Sequence, residues 1–229
     1  MNYEMLIELL EKPAGLLKKS QAELSSLLGE DFSVMKDYSQ NNPHHCYNLL
    51  EHTVRTIEAL DFKGLDEQDV ADLKVAALYH DIGKPKVAFY KNGRTVFYNH
   101  AKASKDIAER ELERIGTDKR TVDRISFFVE YHDMFISFKL SEENKAKTNP
   151  YIKEITSQSV RKEIENLVRK RKNEGGFVPS YQDFSVLLHL CFADACAQSE
   201  RAISDGKILD TRANKLKRLT EIKRIIDNL

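Results

Sequence analysis

The sequence lacks an excess of charge of either sign and lacks long apolar runs. It has 36 Lys and Arg residues against 36 Asp and Glu residues, so the protein as a whole has no field that attracts nucleic acid or an anionic membrane, although local basic patches are compatible with this balance. The most apolar stretch, residues 185–197, is interrupted by His189 and Asp194 and is too short to cross a bilayer. We therefore expect a soluble protein without a membrane partner.

Cysteine is also scarce. The chain has three cysteines, an odd number at irregular spacing that forms no disulfide framework. Its N-terminus carries Glu4, Glu8 and Glu11, where a signal peptide has an uninterrupted apolar run. Both absences exclude the class of disulfide-stabilised secreted domains and favour the reducing cytoplasm.

Helical periodicity dominates what is present. The chain has 229 residues, 41% of them hydrophobic, which is enough to bury about three-quarters of the surface of the unfolded chain. Repeats and low-complexity segments are missing. We expect an N-terminal helical appendage (1–40), a core (41–200) and a C-terminal helix (201–229). Apolar residues three or four positions apart predict helices at 3–12, 20–28, 46–61, 67–82, 100–115, 118–136, 151–172, 181–199 and 211–228.

One short segment has the pattern of strands instead. Residues 86–98 read KVAFYKNGRTVFY, with β-branched and aromatic residues on both sides of Asn92-Gly93. This dipeptide supplies the two positive-φ positions of a type I′ turn. The fold class predicted by the sequence is therefore all-α with one small β-hairpin.

The segment 73–85, LKVAALYHDIGKP, ends an apolar helical face with two polar residues. His80 and Asp81 continue the spacing of the leucine and alanines before them, so both side chains point to the interior. Gly83 and the following proline end the helix, and Lys84 lies beside the pair. Because a buried unpaired carboxylate costs several kcal/mol, either Lys84 or a metal ion is expected as its partner.

Four more residues of ligand type lie on or beside the apolar faces of other helices. His132 and Asp194 continue the apolar stripes of their segments, His100 begins a helix rich in small residues, and His52 borders a core face. A lone histidine on such a face is more often a hydrogen-bonded core residue than a ligand. Six imidazole and carboxylate groups on five helices instead favour one or two divalent ions of Mn, Fe, Co, Ni, Zn or Mg.

These residues resemble the HD-domain metal-dependent phosphohydrolases, a superfamily named for its adjacent His-Asp pair. The resemblance covers about residues 46–200, and within the superfamily it points to the HD domain attached to bacterial CCA-adding tRNA nucleotidyltransferases, without their nucleotidyltransferase head. The segment YHD at 131–133 stands where relatives often carry paired histidines. The matching residues, in the order of the family, are His52, His80 and Asp81 in YHDIGKP, His100, His132, and Asp194 in FADA.

The resemblance implies an all-α HD-domain bundle that hydrolyses a nucleotide or a related phosphoester, as a phosphomonoesterase or phosphodiesterase, with a metal-activated water. Asp81 is the natural bridge between two ions, since a carboxylate has two oxygens. His100 and His132 either bind a second ion or leave one imidazole free to protonate the leaving oxygen. Lys84 either attracts a substrate phosphate or serves as a helix C-terminal cation, and Arg55 is a second candidate for substrate binding.

Other interpretations stay open at this point. Alternatively, the chain is a non-catalytic module whose pocket senses a nucleotide or a metal, with the basic segment 153–172 contacting RNA. The pair His44-His45 either borders the site or lies in a solvated loop, and the loop is the favoured interpretation. The run RKRK at 169–172 is more typical of a solvated helix end than of a nucleic-acid site. The sequence does not predict the oligomeric state.

Overall fold

The structure, a computed structural model, describes residues 1–143, 151–204 and 206–229. It confirms a mostly helical fold. None of the helices in these ranges combines the length and apolarity needed to cross a bilayer. The helices are α1 (Tyr3–Leu10), a 3-10 helix (Pro13–Lys18), α2 (Gln21–Leu28), α3 (Glu30–Met35), α4 (Leu49–Glu58), α5 (Glu67–Tyr79), α6 (Lys84–Val87), α7 (His100–Arg114), α8 (Lys119–Tyr131), α9 (Ser157–Glu174), α10 (Tyr181–Ala197) and α11 (Arg212–Ile226).

Polar side chains start the helices that matter for the site. Asn48 caps α4, Asp66 caps α5, Asp118 caps α8 and Ser180 caps α10, each accepting a hydrogen bond from a backbone N–H of the first turn. Such caps satisfy donors that have no partner within the helix. The caps therefore set where each helix begins, and this start determines which residues lie near the helix ends.

The predicted hairpin is present. It consists of β1 (Phe89–Lys91) paired antiparallel with β2 (Arg94–Val96), and Asn92 and Gly93 have φ angles of 52° and 77°. Two pairs of short strands were not predicted. They are the parallel pair β3 (Phe138–Lys139) with β4 (Lys153–Glu154), and the antiparallel pair β5 (Arg201–Ser204) with β6 (Lys207–Thr211).

The helix predicted at 151–172 begins later than expected. Lys153 and Glu154 pair with β3, and the Thr156 side chain then caps α9 by accepting a hydrogen bond from the backbone N–H of Ser159. Likewise α8 ends at Tyr131 rather than at 136. Strand pairing and capping, which apolar periodicity does not report, decide where α9 begins.

Helix α5 lies at the centre of the core. It is in contact with α1, α4, α7, α8 and α10, and all its residues from Leu73 to Tyr79 are buried. The N-terminal helices contribute Leu6, Leu24 and Phe32 to the same buried cluster. The division of the chain at residues 40 and 200 stays a prediction.

A buried ion network holds three of these helices together. Arg124 on α8 lies 2.5 Å from Asp69 and 2.7 Å from Asp72, both on α5, and 2.9 Å from Asp183 on α10. Because a guanidinium presents several donors in a fixed plane, one arginine satisfies all three carboxylates. The network fixes how α8 and α10 pack against α5, whose C-terminal end carries His80 and Asp81.

Candidate metal centre

The structure brings together the six residues that the sequence singled out as ligands. Each lies at or near the end of a helix or close to a helix start, so that side chains from five elements converge at one position. They are His52 in the first turns of α4, His80 and Asp81 directly after α5, His100 as the first residue of α7, His132 directly after α8, and Asp194 in the last turn of α10.

A glycine allows α7 to approach the end of α5. The N–H of Gly83 donates to Oγ of Ser104 at 2.9 Å. A Cβ at position 83 would lie 2.4 Å from the backbone nitrogen of Ser104 and 2.7 Å from the carbonyl carbon of Ala103. Only glycine fits this contact, which places His100, one turn before Ser104, against Asp81.

All four histidines are oriented in the same way. In each ring, Nδ1 lies within hydrogen-bonding distance of a backbone carbonyl, which can only accept. Nδ1 therefore carries the proton and Nε2 offers a lone pair, as in histidines that bind metals through Nε2. The pairs are His52 with Ala197 (3.3 Å), His80 with Ala77 (2.8 Å), His100 with Phe97 (2.9 Å) and His132 with Val129 (2.8 Å).

The first ligand cluster consists of His52, His80, Asp81 and Asp194. Nε2 of His52 lies 3.2 Å from Nε2 of His80, 3.1 Å from Oδ2 of Asp81 and 3.1 Å from Oδ1 of Asp194. Two nitrogen lone pairs that face each other at this distance repel unless a cation lies between them. Nitrogen ligands about 2.1 Å from one ion, at angles near those of tetrahedral or octahedral coordination, are about 3.0–3.4 Å apart. The cluster therefore fits a divalent ion.

The second ligand cluster consists of Asp81, His100 and His132. Nε2 of His100 lies 3.3 Å from Nε2 of His132 and 3.3 Å from Oδ1 of Asp81, and His132 lies 3.7 Å from the same oxygen. This oxygen is buried and accepts no hydrogen bond from a described residue. Asp81 thus presents Oδ2 to the first cluster and Oδ1 to the second.

The carboxylates change the proton affinity of the histidines around them. Burial lowers the pKa of His52, but Asp194 and Asp81 outweigh burial and raise this pKa to about 9. Burial also lowers the pKa of His132, and the nearby carboxylates do not outweigh this effect. For Asp81, burial acts to raise the pKa, yet Lys84 and His80 hold it well below its usual range. The carboxylate is therefore ionised and suited to a cation.

Lys84 is buried rather than exposed at a helix end, so its interpretation as a surface cation on the helix dipole is wrong. It begins α6, and its ammonium lies 2.6 Å from Oδ2 of Asp81, 2.7 Å from Oε1 of Gln40 and 3.3 Å from Nε2 of His45. The three contacts match the three donors of an ammonium group. Lys84 also lines the cleft above the ligands, so its positive charge acts at the cleft floor.

Arg55 lies elsewhere. Its guanidinium donates to Oε1 of Glu51 at 2.9 Å and stacks over the ring of Tyr47 at 4.1 Å. Arg55 is not among the residues that line the cleft. Arg55 therefore lies at the surface and contacts neither ligand cluster, although it follows His52 closely in the sequence.

His44 and His45 line the cleft, contrary to the favoured interpretation of a solvated loop. The ring of His45 packs edge-on against that of His52, with centroids 5.0 Å apart, and burial, together with Lys84, holds its pKa well below the usual value. Nδ1 of His44 lies 3.3 Å from Nζ of Lys215, a residue that the sequence did not indicate. Only the NNPHHC loop composition pointed to this pair, and loop composition does not show where a loop packs.

The ligand clusters open into a cleft of about 900 Å³ with several cationic side chains. Arg218 pairs with Asp210 and Glu143, and Lys139 lies 3.7 Å from the same Asp210. Arg94 and Lys215 form no ion pair with any residue in the described ranges, and Lys215 is partly buried. Arg94 and Lys215 thus supply two cations without an ion pair to a described residue, in a lining that also includes the carboxylates of Asp133 and Asp194. The cationic lining of the cleft consists of Lys84, Arg94, Lys139, Lys215 and Arg218.

Comparison with known proteins agrees with this geometry. The HD domain family matches residues 44–174, more than half of the chain. A CC-adding tRNA nucleotidyltransferase of Thermus thermophilus is 29% identical over 148 residues, which is 62% of this chain and 32% of the relative. The chain thus spans about a third of the length of this relative. Asp194 lies beyond the range matched by the family.

Proposed function

The chain belongs to the HD-domain family, and we propose that it is a metal-dependent phosphohydrolase acting on a nucleotide or a related phosphoester. One observation carries the proposal. The two oxygens of Asp81 face the Nε2 atoms of two separate groups of histidines, whose Nδ1 atoms lie against backbone carbonyls. This donor set of imidazoles and carboxylates suits borderline and hard divalent ions.

The chain's own residues define how such a site works. His52, His80, Asp81 and Asp194 would hold a first ion, and Asp81, His100 and His132 would hold a second. A divalent ion supplies a Lewis acid to the phosphoryl oxygens and lowers the pKa of a water toward neutrality. The backbone carbonyls that fix each Nδ1 proton keep the imidazoles oriented, so that little reorganisation accompanies the reaction.

His100 and His132 have two roles open to them. Either both complete a second ion site with Asp81, or one of them gives a proton to the leaving oxygen. Burial lowers the pKa of His100, but Asp81 outweighs it, so the net pKa is raised above the usual value. An imidazole that keeps its proton near neutral pH suits a general acid.

Cationic residues in the cleft give the proposal its substrate class. The ammonium of Lys84 is paired with Asp81, whereas Arg94 and Lys215, which also line the cleft, form no ion pair with a described residue. A phosphoester carries negative charge both at the reacting phosphorus and, in a nucleotide, at further phosphates. Charge-assisted hydrogen bonds to such oxygens are among the strongest that a protein forms.

The test is a matched measurement of metal content and turnover. Protein purified without chelator is analysed for metal, stripped, and reloaded with Mn, Fe, Co, Ni, Zn or Mg in turn. Each form is assayed with nucleoside monophosphates, 2′,3′-cyclic nucleotides and bis-p-nitrophenyl phosphate. Because the Thermus relative is named for a reaction on tRNA, a short RNA ending in a phosphate is included.

We expect one or two ions per chain and turnover that disappears on stripping and returns on reloading. Asp81→Asn serves as the negative control, since it keeps the shape of the side chain and removes its charge. A protein that binds no metal contradicts the proposal. A metal-loaded protein that retains a nucleotide without converting it supports the sensing module instead.

A further inference from the structure

The segment 84–105 differs in charge from the rest of the chain. It contains six Lys and Arg residues and no Asp or Glu, whereas the whole sequence is balanced. The same segment forms the β1–β2 hairpin and exposes three aromatic side chains, Phe89 (60% exposed), Tyr90 (66%) and Tyr98 (63%). Large apolar rings in a purely basic environment are unusual for a surface that faces only water.

Strand register sorts these side chains onto two faces. Phe89 pairs with Val96 and Lys91 pairs with Arg94, so these four residues share one face, while Tyr90 lies on the other. Arg94 and Val96 of this face line the cleft above the ligand clusters, as do Phe97 and Tyr98, which follow β2. Tyr98 lies beside the face, since the ammonium of Lys91 is 6.0 Å from its ring centroid. The face is therefore continuous with the cleft wall. We call it the hairpin platform: Phe89, Lys91, Arg94, Val96 and Tyr98.

Two cations of the platform are available to a ligand. Lys91 and Arg94 form no ion pair within the described part of the chain, and the ammonium of Lys91 lies 6.0 Å from the ring centroid of Tyr98. Two other cations of the segment are paired with acids, Lys86 with Asp31 and Lys105 with Glu109. Lys84 is likewise paired with Asp81, so two of the three cations of the segment without an ion pair to a described residue lie on the platform, and the third, Lys102, lies on α7.

We propose that the hairpin platform binds single-stranded nucleic acid and guides the strand toward the ligand clusters. Bases stack on Phe89 and Tyr98, while Lys91 and Arg94 contact phosphates. Unpaired bases offer ring faces to aromatic side chains, and the backbone offers a regular series of anions. A duplex hides its base faces, and a flat anionic bilayer does not enter the concave cleft into which the platform leads. Binding of the strand does not depend on the proposed function; only its hydrolysis at the ligand clusters does.

The test uses binding in the absence of metal, so that it is independent of hydrolysis. Fluorescence anisotropy of a labelled 12-nucleotide single strand, RNA or DNA, is measured with the full chain in chelator at low salt. Phe89→Ala and Tyr98→Ala are each expected to weaken binding roughly tenfold or more. Tyr90→Ala is the matched control, since this ring is equally exposed on the opposite face of the same strand, and it is expected to leave the affinity unchanged.

Salt dependence tests the two cations separately from the rings. Lys91→Ala and Arg94→Ala are each expected to reduce the slope of log affinity against log salt by about 0.7, the value for one phosphate contact on a single strand. A duplex of the same sequence and vesicles containing an anionic phospholipid complete the panel. Weak binding of both, beside tight binding of the single strand, is the expected result.

The outcomes separate this inference from the proposed function. No binding of the single strand, an equal loss in Tyr90→Ala, equal affinity for the duplex, or preferential binding of the vesicles each overturns the platform. Hydrolysis of bis-p-nitrophenyl phosphate without binding of the strand leaves the hydrolase standing and removes the platform. If the strand binds through Phe89 and Tyr98 but the protein hydrolyses nothing, the platform stands and the proposed hydrolase function is contradicted.

Discussion

Gly83→Ala tests the contact that places α7 against the His-Asp pair. The added Cβ would lie 2.4 Å from the backbone nitrogen of Ser104, whereas ordinary contacts begin at 3.4 Å. The two nearest obstructing atoms belong to the backbone and the third is the Cβ of Ala103, so no side-chain rotation relieves the overlap. We expect α7 to move by about 1 Å relative to the end of α5, the difference between these two distances.

The expected cost follows from that displacement. Overpacking of a well-packed contact destabilises a protein by about 1–3 kcal/mol. For a chain of this size, the melting temperature falls by about 2–4 °C per kcal/mol, which gives a fall of about 2–12 °C. A shift of about 1 Å also changes the 3.3 Å separation of His100 and Asp81, and misplacement of this size lowers turnover by about a hundredfold.

Thermal unfolding followed by circular dichroism, metal titration and turnover are measured on the same preparation. Gly15→Ala is the matched control, since a Cβ at that position meets no atom within 4 Å. In Gly83→Ala we expect the second ligand cluster to lose affinity more than the first, because His100 moves with α7. A variant with the melting temperature, metal stoichiometry and turnover of the unmodified protein would refute this account of the helix packing.

Three further predictions concern charges. Asp81→Ala should remove metal from both clusters and abolish turnover, and metal retained at full stoichiometry by elemental analysis would place the site elsewhere. Lys84→Ala should lower kcat/KM by about ten- to a hundredfold with metal content retained, whereas the exposed Lys86→Ala should not, so equal kinetics of the two variants would remove Lys84 from the site. Arg124→Met leaves two buried carboxylates, Asp69 and Asp72, and the partly buried Asp183 without their cation and should cost about 3–5 kcal/mol in urea unfolding, against about 0–1 kcal/mol for the exposed ion pair removed by Lys119→Ala.

Removal of metal should also lower stability. An ion that binds the folded chain alone stabilises it by mass action, by about 2.7 kcal/mol at a hundredfold excess over its dissociation constant. Chelation should therefore lower the melting temperature of the metal-loaded protein, and reloading should restore it. In Asp81→Ala, chelator should have no effect on the melting temperature, and a shift as large as that of the unmodified protein would contradict the assignment.

Local patterns in the sequence predicted most of the helices and singled out the candidate ligand residues that the structure brings together. Periodicity turns His80, His132 and Asp194 inward because the residues three and four positions before them are apolar, and this follows from helix geometry alone. The turn between β1 and β2 followed in the same way from Asn92-Gly93, whose positive φ angles are a local property.

Tertiary structure decided what these residues do to one another. Whether Lys84 lies at the surface or beside Asp81, and whether His45 faces solvent or His52, depends on how separate helices and loops pack. Apolar spacing did not indicate β5 and β6 either, because these strands are defined by their hydrogen bonds to each other. The division of Asp81 between two histidine groups requires α7 to touch the end of α5, a contact between backbones that Gly83 permits. Spacing along one helix selects which face a side chain occupies, but distances between helices arise only when their surfaces pack together.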